Sequence, residues 1–167
     1  MNKVCYISDF FLDDLVGGGE LNDHELCYML ENQSYKVSKI RSQELKLDML
    51  DKKCTYIISN FINLNNHVKD YITNECKYII YEHDHKYLRS RNPALYNNYT
   101  APTEDLTNQE FYKNAKKVIC QTSFHEAIIK NNLKDCNLEN VSGNLWSTEN
   151  LNFIRELSKK KKKDYYS

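Results

Sequence analysis

The chain has 167 residues, a formal net charge of +0, 41% hydrophobic and 28% charged residues, which is the composition of one ordinary globular domain. Balanced charge supplies no positive field for a polyanion, so the composition disfavours general nucleic-acid binding. There is no run of about 20 apolar residues and no secretory leader pattern. Six widely spaced cysteines are typical of free thiols in a reducing compartment, so we expect a cytoplasmic protein.

Short β-rich runs alternate with amphipathic segments, a pattern typical of an α/β domain with a mostly parallel sheet. Strands are predicted at 3–8, 35–40, 54–59, 77–81, 117–121 and 138–141. Helices are predicted at 20–30, 42–50, 64–75, 109–116, 123–131 and 149–157. The strand at 35–40 leaves Lys36 and Lys39 exposed, which places it near a sheet edge. We expect a Rossmann-like sheet of about six strands with helices on both faces.

Three segments carry further local signals. Between 82 and 108 the pattern disappears, and a segment of this length in a compact domain is more often a functional loop than a connector. Ser123 and Glu126 have the spacing of a capping box at the start of the next helix. The lysine run 159–163 is expected to end the last helix as a solvated linker, with weak contact to an anionic membrane surface as the alternative.

Polar residues follow nearly every predicted strand. In an open parallel sheet, ligands bind beyond the carboxyl ends of the strands, near the point where the strand order reverses. This rule selects residues from six segments: Ser8, Asp9, Gly17, Gly18, Gly19, Glu20, Asn60, Glu82, His83, Asp84, His85, Thr122, Ser123, Gly143 and Asn144. We therefore expect a polar site along one edge of the sheet.

Gly17, Gly18, Gly19 and Glu20 form the sharpest backbone motif, with three of the chain's four glycines at one junction of loop and helix. Such a loop can approach a ligand closely, and the free amides of a helix N-terminus suit a phosphate or a sugar hydroxyl. The motif is neither G-x-G-x-x-G nor a P-loop, which disfavours a dinucleotide cofactor. The alternative is a flexible turn that lets the helix pack against the sheet.

Glu82, His83, Asp84 and His85 are four consecutive titratable residues at the end of the fourth predicted strand. A histidine here can orient or deprotonate a hydroxyl, and a neighbouring carboxylate can fix its tautomer. Because successive strand residues point to opposite faces, we expect only one of the two histidines to face a site. A shared metal ion and a solvated strand end with local hydrogen bonds are the alternatives.

Arg89 and Arg91 lie in the loop that follows. A guanidinium group suits a carboxylate, a phosphate or a sugar hydroxyl, and the alternative is a loop held by nearby acidic residues. His125, inside a predicted helix, is expected to be structural or exposed. Trp146 is expected to pack against the end of the domain.

With these motifs in this order, the chain resembles the N-terminal domain of a GT-B-type glycosyltransferase of the retaining, glycogen-synthase-like superfamily. The resemblance covers about residues 3–158. The segments that carry it are Gly-Gly-Gly-Glu at 17–20, Tyr-Glu-His-Asp-His at 81–85, Arg-Asn-Pro at 91–93, Phe-Tyr-Lys-Asn-Ala at 111–115, Cys-Gln-Thr-Ser-Phe-His at 120–125 and Gly-Asn-Leu-Trp at 143–146.

The resemblance implies transfer of a sugar from a nucleotide sugar to an acceptor hydroxyl, with retention of configuration and no obligatory metal. Such enzymes have two lobes, and the C-terminal lobe holds most of the nucleotide sugar. The Glu-x7-Glu pattern of that second lobe does not occur in this chain. Residues 1–158 then correspond to the acceptor-side lobe, and 159–167 to a linker and the start of a second lobe. We expect a fragment that is inactive without its partner lobe.

By the same resemblance, the three glycines approach the donor diphosphate and the acceptor, and His83 or Asp84 contacts the reacting sugar. The glycine loop and His83 are expected to meet in one cleft, after strands that are neighbours in the sheet. The other expected substrate-binding residues are Glu20, Asn60, Glu82, His85, Arg89, Arg91, Thr122 and Ser123. No cofactor or metal is expected beyond the nucleotide sugar as co-substrate.

Two other classes of function remain open. A non-catalytic Rossmann-like module that binds a sugar or a nucleotide would keep the glycine loop without a second lobe. A metal-dependent hydrolase would use His83, Asp84 and His85, together with further ligands from other strands.

Overall fold

Six parallel strands form one sheet in a computed structural model of the chain, which describes residues 3–161. The strands are β1 (Lys3–Ser8), β2 (Lys36–Arg41), β3 (Thr55–Ile58), β4 (Lys77–Tyr81), β5 (Lys117–Cys120) and β6 (Leu138–Asn140). The helices are α1 (Gly18–Asn32), α2 (Asn66–Glu75), α3 (Gln109–Lys113), α4 (Ser123–Asn132) and α5 (Thr148–Lys161). The predicted α/β, Rossmann-like fold is confirmed.

The strand order is β2-β1-β3-β4-β5-β6, with every neighbouring pair parallel. Strand β2 is an edge strand, as the exposed Lys36 and Lys39 predicted. The order reverses between β1 and β3, because the chain first crosses to β2 and then returns to the other side of β1. Strand β3 separates β1 from β4, so the expectation that the strands before the glycine loop and His83 are neighbours is wrong.

Two apolar layers cover the sheet, one on each face. On one face α1 buries Cys27 against Val4 and Tyr6 of β1, Ile57 of β3 and Tyr81 of β4. The larger layer on the other face contains residues of α2, α3 and α4 packed against the central strands, including Ile58, Val68, Ile72, Ile80, Phe111, Tyr112, Val118 and Ile129. Each fully buried side chain of this size contributes roughly 1.5–3 kcal/mol. The alternation of the two sets along the strands follows from the two-residue period of a β-strand.

Two short 3₁₀ turns, Ser42–Glu44 and Leu47–Met49, occupy the segment in which a helix was predicted at 42–50. The Ser42 hydroxyl donates to the buried Asp9 carboxylate at the end of β1. Leu45 is buried in the larger core layer. Leu45 and Lys46 have extended backbone angles, which divide the segment into two turns and interrupt the predicted helix.

The first turn of α4 is capped one residue earlier than the predicted capping box. The Thr122 side chain accepts a hydrogen bond from the backbone N–H of His125 at 3.0 Å. The Thr122 carbonyl accepts the N–H of Glu126 at 2.9 Å. Thr122 is thus the N-cap, and Ser123 is the first helical residue, which corrects the expected Ser123–Glu126 pairing.

The last helix, α5, continues to Lys161, so Lys159 and Lys160 extend the helix where a linker was expected. Residues 162–167, which include the expected start of a second lobe, lie outside the described residues. All six cysteines are free thiols, as their spacing predicted. Among the helices that the structure describes, none combines the length and the apolar character needed to cross a bilayer.

The corrected cap predicts different outcomes for two adjacent substitutions. Thr122→Ala removes the acceptor for the His125 N–H and is expected to lower the free energy of unfolding by about 1 kcal/mol. Ser123→Ala leaves this hydrogen bond in place and should change stability by less than about 0.5 kcal/mol. Urea unfolding of both variants measures the difference, and a larger loss for Ser123→Ala would contradict the assignment.

Candidate functional site

A pocket of about 240 Å³ opens at the carboxyl edge of the sheet, on the side that α1 covers. Four chain segments converge on it, namely the start of α1 and the loops that follow β4, β5 and β6. The lining residues are Gly18, Gly19, Leu21, Asn22, His83, Gln121, Asn144, Leu145 and Trp146. The glycine loop and His83 therefore meet in one cleft, although β3 lies between the strands that precede them.

The Asp23 carboxylate brings these segments together. It is 2% exposed and lies one helical turn into α1. It accepts hydrogen bonds from the Tyr6 hydroxyl at 2.8 Å, the Ser59 hydroxyl at 2.5 Å and the His83 Nε2 at 3.0 Å. These partners belong to β1 and to the segments after β3 and β4, so one side chain holds α1 across three strands.

Both ring nitrogens of His83 are hydrogen-bonded within the protein. Because a carboxylate only accepts, Nε2 carries the proton donated to Asp23. The other nitrogen, Nδ1, then accepts from the Gln121 side-chain amide at 2.9 Å. His83 thereby orients Gln121, which also lines the pocket. A chain of contacts therefore runs from Asp23 through His83 to Gln121, and the Asp23 carboxylate fixes the tautomer of His83.

Neither the backbone nor the packing requires glycine in the loop before α1. Gly17 has extended backbone angles that any residue adopts. A Cβ added to Gly18 would meet no heavy atom within 4 Å, and one added to Gly19 would lie 3.8 Å from Cδ2 of His83, an ordinary contact. Only at Gly17 would a Cβ meet an obstacle, the flexible end of the Glu20 side chain. The structure therefore does not support the alternative that these residues are glycine so that α1 can pack against the sheet.

Glu82 does not face the pocket, in contrast to the expected ligand contact. Its side chain is 0% exposed and accepts from the Tyr112 hydroxyl, the Asp84 N–H and the Lys86 ammonium. Burial alone would raise the pKa of Glu82, but the Lys86 charge and these hydrogen bonds outweigh it and lower the pKa. Glu82 is an ionised structural group that fixes the start of the long loop.

Asp84, the second expected catalytic residue, is paired with two cations away from the pocket. Its carboxylate contacts the Lys86 ammonium and, at 3.2 Å, the Arg91 guanidinium. Arg91 therefore holds the loop to an acidic residue, which was the alternative to ligand binding. Arg89 is exposed, and its backbone N–H donates to the Asp105 carbonyl at 2.9 Å. Neither arginine lines the pocket.

Of the two histidines only His83 lines the pocket, as expected, but strand alternation is not the reason, because residues i and i+2 of a strand share a face. Strand β4 ends at Tyr81, and the side chain of His85 is turned away by its own backbone conformation. His85 has a positive φ of 57°, and its Nδ1 lies 2.8 Å from the Tyr87 hydroxyl. Its ring centroid lies 4.4 Å from that of His125. His125 is buried, and its Nε2 has no hydrogen-bond partner among the described residues. Burial, followed by the neighbouring His85, lowers the pKa of His125 to about 4.

The remaining expected contacts lie outside the pocket lining. Glu20 folds its carboxylate back over Gly17 at the helix start. The Asn60 side-chain oxygen is buried and lacks a partner among residues 3–161. Thr122 caps α4, and Ser123 is exposed beside it. The rule that gathers residues at strand ends therefore identified the correct edge but included side chains that serve local structure.

Four side chains of the site were not predicted as site residues from the sequence: Asn22, Asp23, Gln121 and Trp146. Asp23 and Cys27 have the four-residue spacing of a helix face, so an acidic residue on the buried face of α1 was the available signal. Trp146 was expected to pack the domain end, but it is 45% exposed and lines the pocket. Its position depends on a loop conformation that residue spacing does not specify.

Within residues 3–161, no three His, Cys, Asp or Glu side chains are grouped so that they could share a metal ion. His83 and His85 lie on different sides of the chain, which separates the two histidines that a shared ion would require. Comparison with protein-family models, curated proteins and solved structures found no match to this chain.

The buried His125 predicts a pH dependence of stability. The unfolded histidine titrates near about 6.5, whereas the folded one has a pKa of about 4. Between these two pKa values the unfolded state binds more protons than the folded state. The contribution of His125 to the free energy of unfolding is therefore fully present above about pH 6.5 and is lost as the pH falls, by up to about 1.4 kcal/mol per pH unit. The neighbouring His85, whose pKa burial also lowers, acts in the same direction.

His125→Phe keeps an aromatic ring and removes the titrating group, so its unfolding free energy should fall less than that of the wild type between pH 7 and pH 4.5. Urea unfolding across this range measures the difference. His67→Gln, a substitution of an exposed histidine, is the control and should follow the wild type. Parallel pH profiles of His125→Phe and wild type would refute the assignment.

Proposed function

We propose that this chain is the acceptor-side lobe of a glycosyltransferase that moves a sugar from a nucleotide sugar to an acceptor hydroxyl, with a second lobe supplying most of the donor site. In this reaction the bond between the anomeric carbon and the diphosphate breaks. The acceptor oxygen bonds to that carbon, and the hydroxyl proton passes to the departing diphosphate. The pocket at the start of α1 is the proposed place of the acceptor and of the transferred sugar.

The glycine loop is the observation that carries this proposal. Three adjacent glycines begin α1 beside His83, yet neither their backbone angles nor their neighbours demand glycine at Gly18 or Gly19. Gly18 and Gly19 lie within the first turn of α1, and inside a helix glycine is less favourable than alanine. A ligand that approaches the backbone closely, with hydroxyl oxygens at the free amides of Gly18 and Gly19, gives a reason for residues without side chains.

Polar groups around the loop suit a ligand rich in hydroxyls. Gln121 and Asn144 line the pocket with amide side chains, and an amide can both donate to and accept from a hydroxyl. His83 is held by Asp23 and in turn orients Gln121. In this proposal His83 acts as a positioning residue for the acceptor, and direct proton transfer would require its contact with Gln121 to open.

The second candidate is a non-catalytic module that binds a sugar. The engagement of both His83 nitrogens within the protein favours it, because no side-chain base faces the pocket unpaired. The two candidates share the binding site and differ in turnover. Consumption of UDP-glucose by this chain joined to a donor-binding lobe supports the transferase, and binding of sugar without any turnover in that setting supports the module.

Substitution of the glycines tests the site directly. Gly18→Ala and Gly19→Ala should raise the unfolding free energy by roughly 0.5 kcal/mol, because alanine restricts the unfolded chain and fits the space present. The same methyl groups should weaken binding of maltose by about tenfold, since they displace the ligand from the amides. Urea unfolding and ligand-observed NMR measure the two effects. A gain in stability with unchanged affinity would assign the glycines to a turn only.

His83 and His85 form a matched pair for a second test. His83→Ala removes the support of Gln121 and should weaken sugar binding by about tenfold, and in an active two-lobed protein the misplaced acceptor should slow transfer by roughly a hundredfold. His85→Ala, on the other side of the chain, should change neither quantity by more than about threefold. Impairment of His85→Ala alone would overturn the placement of the site, and so would failure of the wild type to bind any sugar at tens of millimolar.

A further inference from the structure

Trp146 lines the same pocket as the glycine start of α1 and His83. It is the only tryptophan in the chain. With 45% of its surface exposed, it leaves a large apolar area in contact with solvent. A half-exposed indole in a pocket that also contains the amide side chains of Gln121 and Asn144 offers a flat apolar surface to a ligand.

Hydrogen bonds on both sides of Trp146 hold its loop in place. The preceding residue, Leu145, donates its N–H to the buried Asn22 side-chain oxygen at 2.7 Å. The following residue, Ser147, accepts the N–H of Asn150 at 3.1 Å and so caps α5. Asn22 also donates to the Gly18 carbonyl at 2.8 Å. The backbone just before Trp146 and the Gly18 carbonyl are thus bonded to the same side chain, which joins the two segments at the pocket.

The composition of the lining selects an uncharged ligand. Lys, Arg, Asp and Glu are absent from the nine residues that line the pocket in the described part of the chain. A phosphate or carboxylate deep in this pocket would lack a cationic side chain, whereas hydroxyls would find the amides of Gln121 and Asn144. The volume of about 240 Å³ lies below the roughly 300–1,000 Å³ of sites for drug-sized ligands, which suits a single ring.

We propose that Trp146 is the stacking surface for one neutral pyranose ring, and that it makes the pocket selective for uncharged sugars over phosphorylated or acidic ones. The negative face of the indole attracts the polarised C–H groups on one face of a sugar ring, while the amides opposite bind its hydroxyls. This inference rests on the proposed function, in that it names the class of sugar that the same site accepts.

The single tryptophan provides a measurement that does not depend on turnover. Titration with methyl α-glucoside or methyl α-mannoside should shift and change the Trp146 emission in a saturable manner. Glucose 6-phosphate and glucuronate should bind at least about tenfold more weakly. Stronger binding of either charged sugar than of the neutral glycosides would overturn the selectivity.

Two substitutions separate stacking from a structural role. Trp146→Phe keeps an aromatic face and should retain affinity for the methyl glycosides within about threefold, whereas Trp146→Ala should lose about tenfold, both measured by ligand-observed NMR. Phe124→Ala, at another exposed aromatic residue outside the lining, is the control and should bind as wild type. Urea unfolding of Trp146→Ala checks that the fold is retained.

The outcomes distinguish this inference from the proposed function. Loss of sugar binding in Gly18→Ala and His83→Ala, with full affinity in Trp146→Ala, would refute the stacking role and leave the proposed site standing. Loss in Trp146→Ala and retention in Trp146→Phe supports the stacking role whether or not a two-lobed protein transfers sugar. Absence of any sugar binding by the wild type would refute both.

Discussion

The buried Asp23 carboxylate is the constraint on which the site depends. A carboxylate removed from water is costly unless its oxygens are hydrogen-bonded, and here Tyr6, Ser59 and His83 supply the donors. Each donor comes from a different strand or strand end, so displacement of α1 would leave a buried charge without partners. The same contacts place the glycine start of α1 above β4, beyond the intervening β3. The contacts that pack α1 against the sheet are therefore the same contacts that form the pocket.

A second buried charge, on Glu82, supports the other side of the site. Its pairing with Lys86 and Tyr112 anchors the loop that leaves β4, and the Lys86 ammonium lies 5.6 Å from the centre of the Phe61 ring. The attraction within a buried ion pair is largely offset by the cost of removing both charges from water. Removal of one partner is nevertheless strongly destabilising, because the other charge is left buried and unpaired. This cluster turns the chain so that His83 faces the pocket while His85 faces His125. The charged groups of this cluster lie outside the pocket lining, which contains the neutral amides of Gln121 and Asn144.

Much of the fold followed from local patterns, while the site required tertiary information. The strands at Lys3–Ser8 and Lys77–Tyr81 have the predicted bounds, because their alternation and β-branched residues are local properties. The glycine loop and His83 were also identified, since strand ends share one edge of a parallel sheet. Asp23 was missed because its partners lie 17, 36 and 60 residues away. Glu82 was assigned to the ligand because its burial depends on Lys86 folding back and on Tyr112 approaching from α3.

The two ends of the sheet have a consequence for self-association. An open sheet leaves unpaired backbone groups along its outer strands, and these can template pairing with another chain. Here β2 presents Lys36 and Lys39 to solvent, and β6 is only three residues long. The lysines on edge strand β2 and the short length of edge strand β6 both oppose the addition of further strands from another chain. The molecule can therefore keep an open parallel sheet at high concentration without growing into intermolecular β-structure.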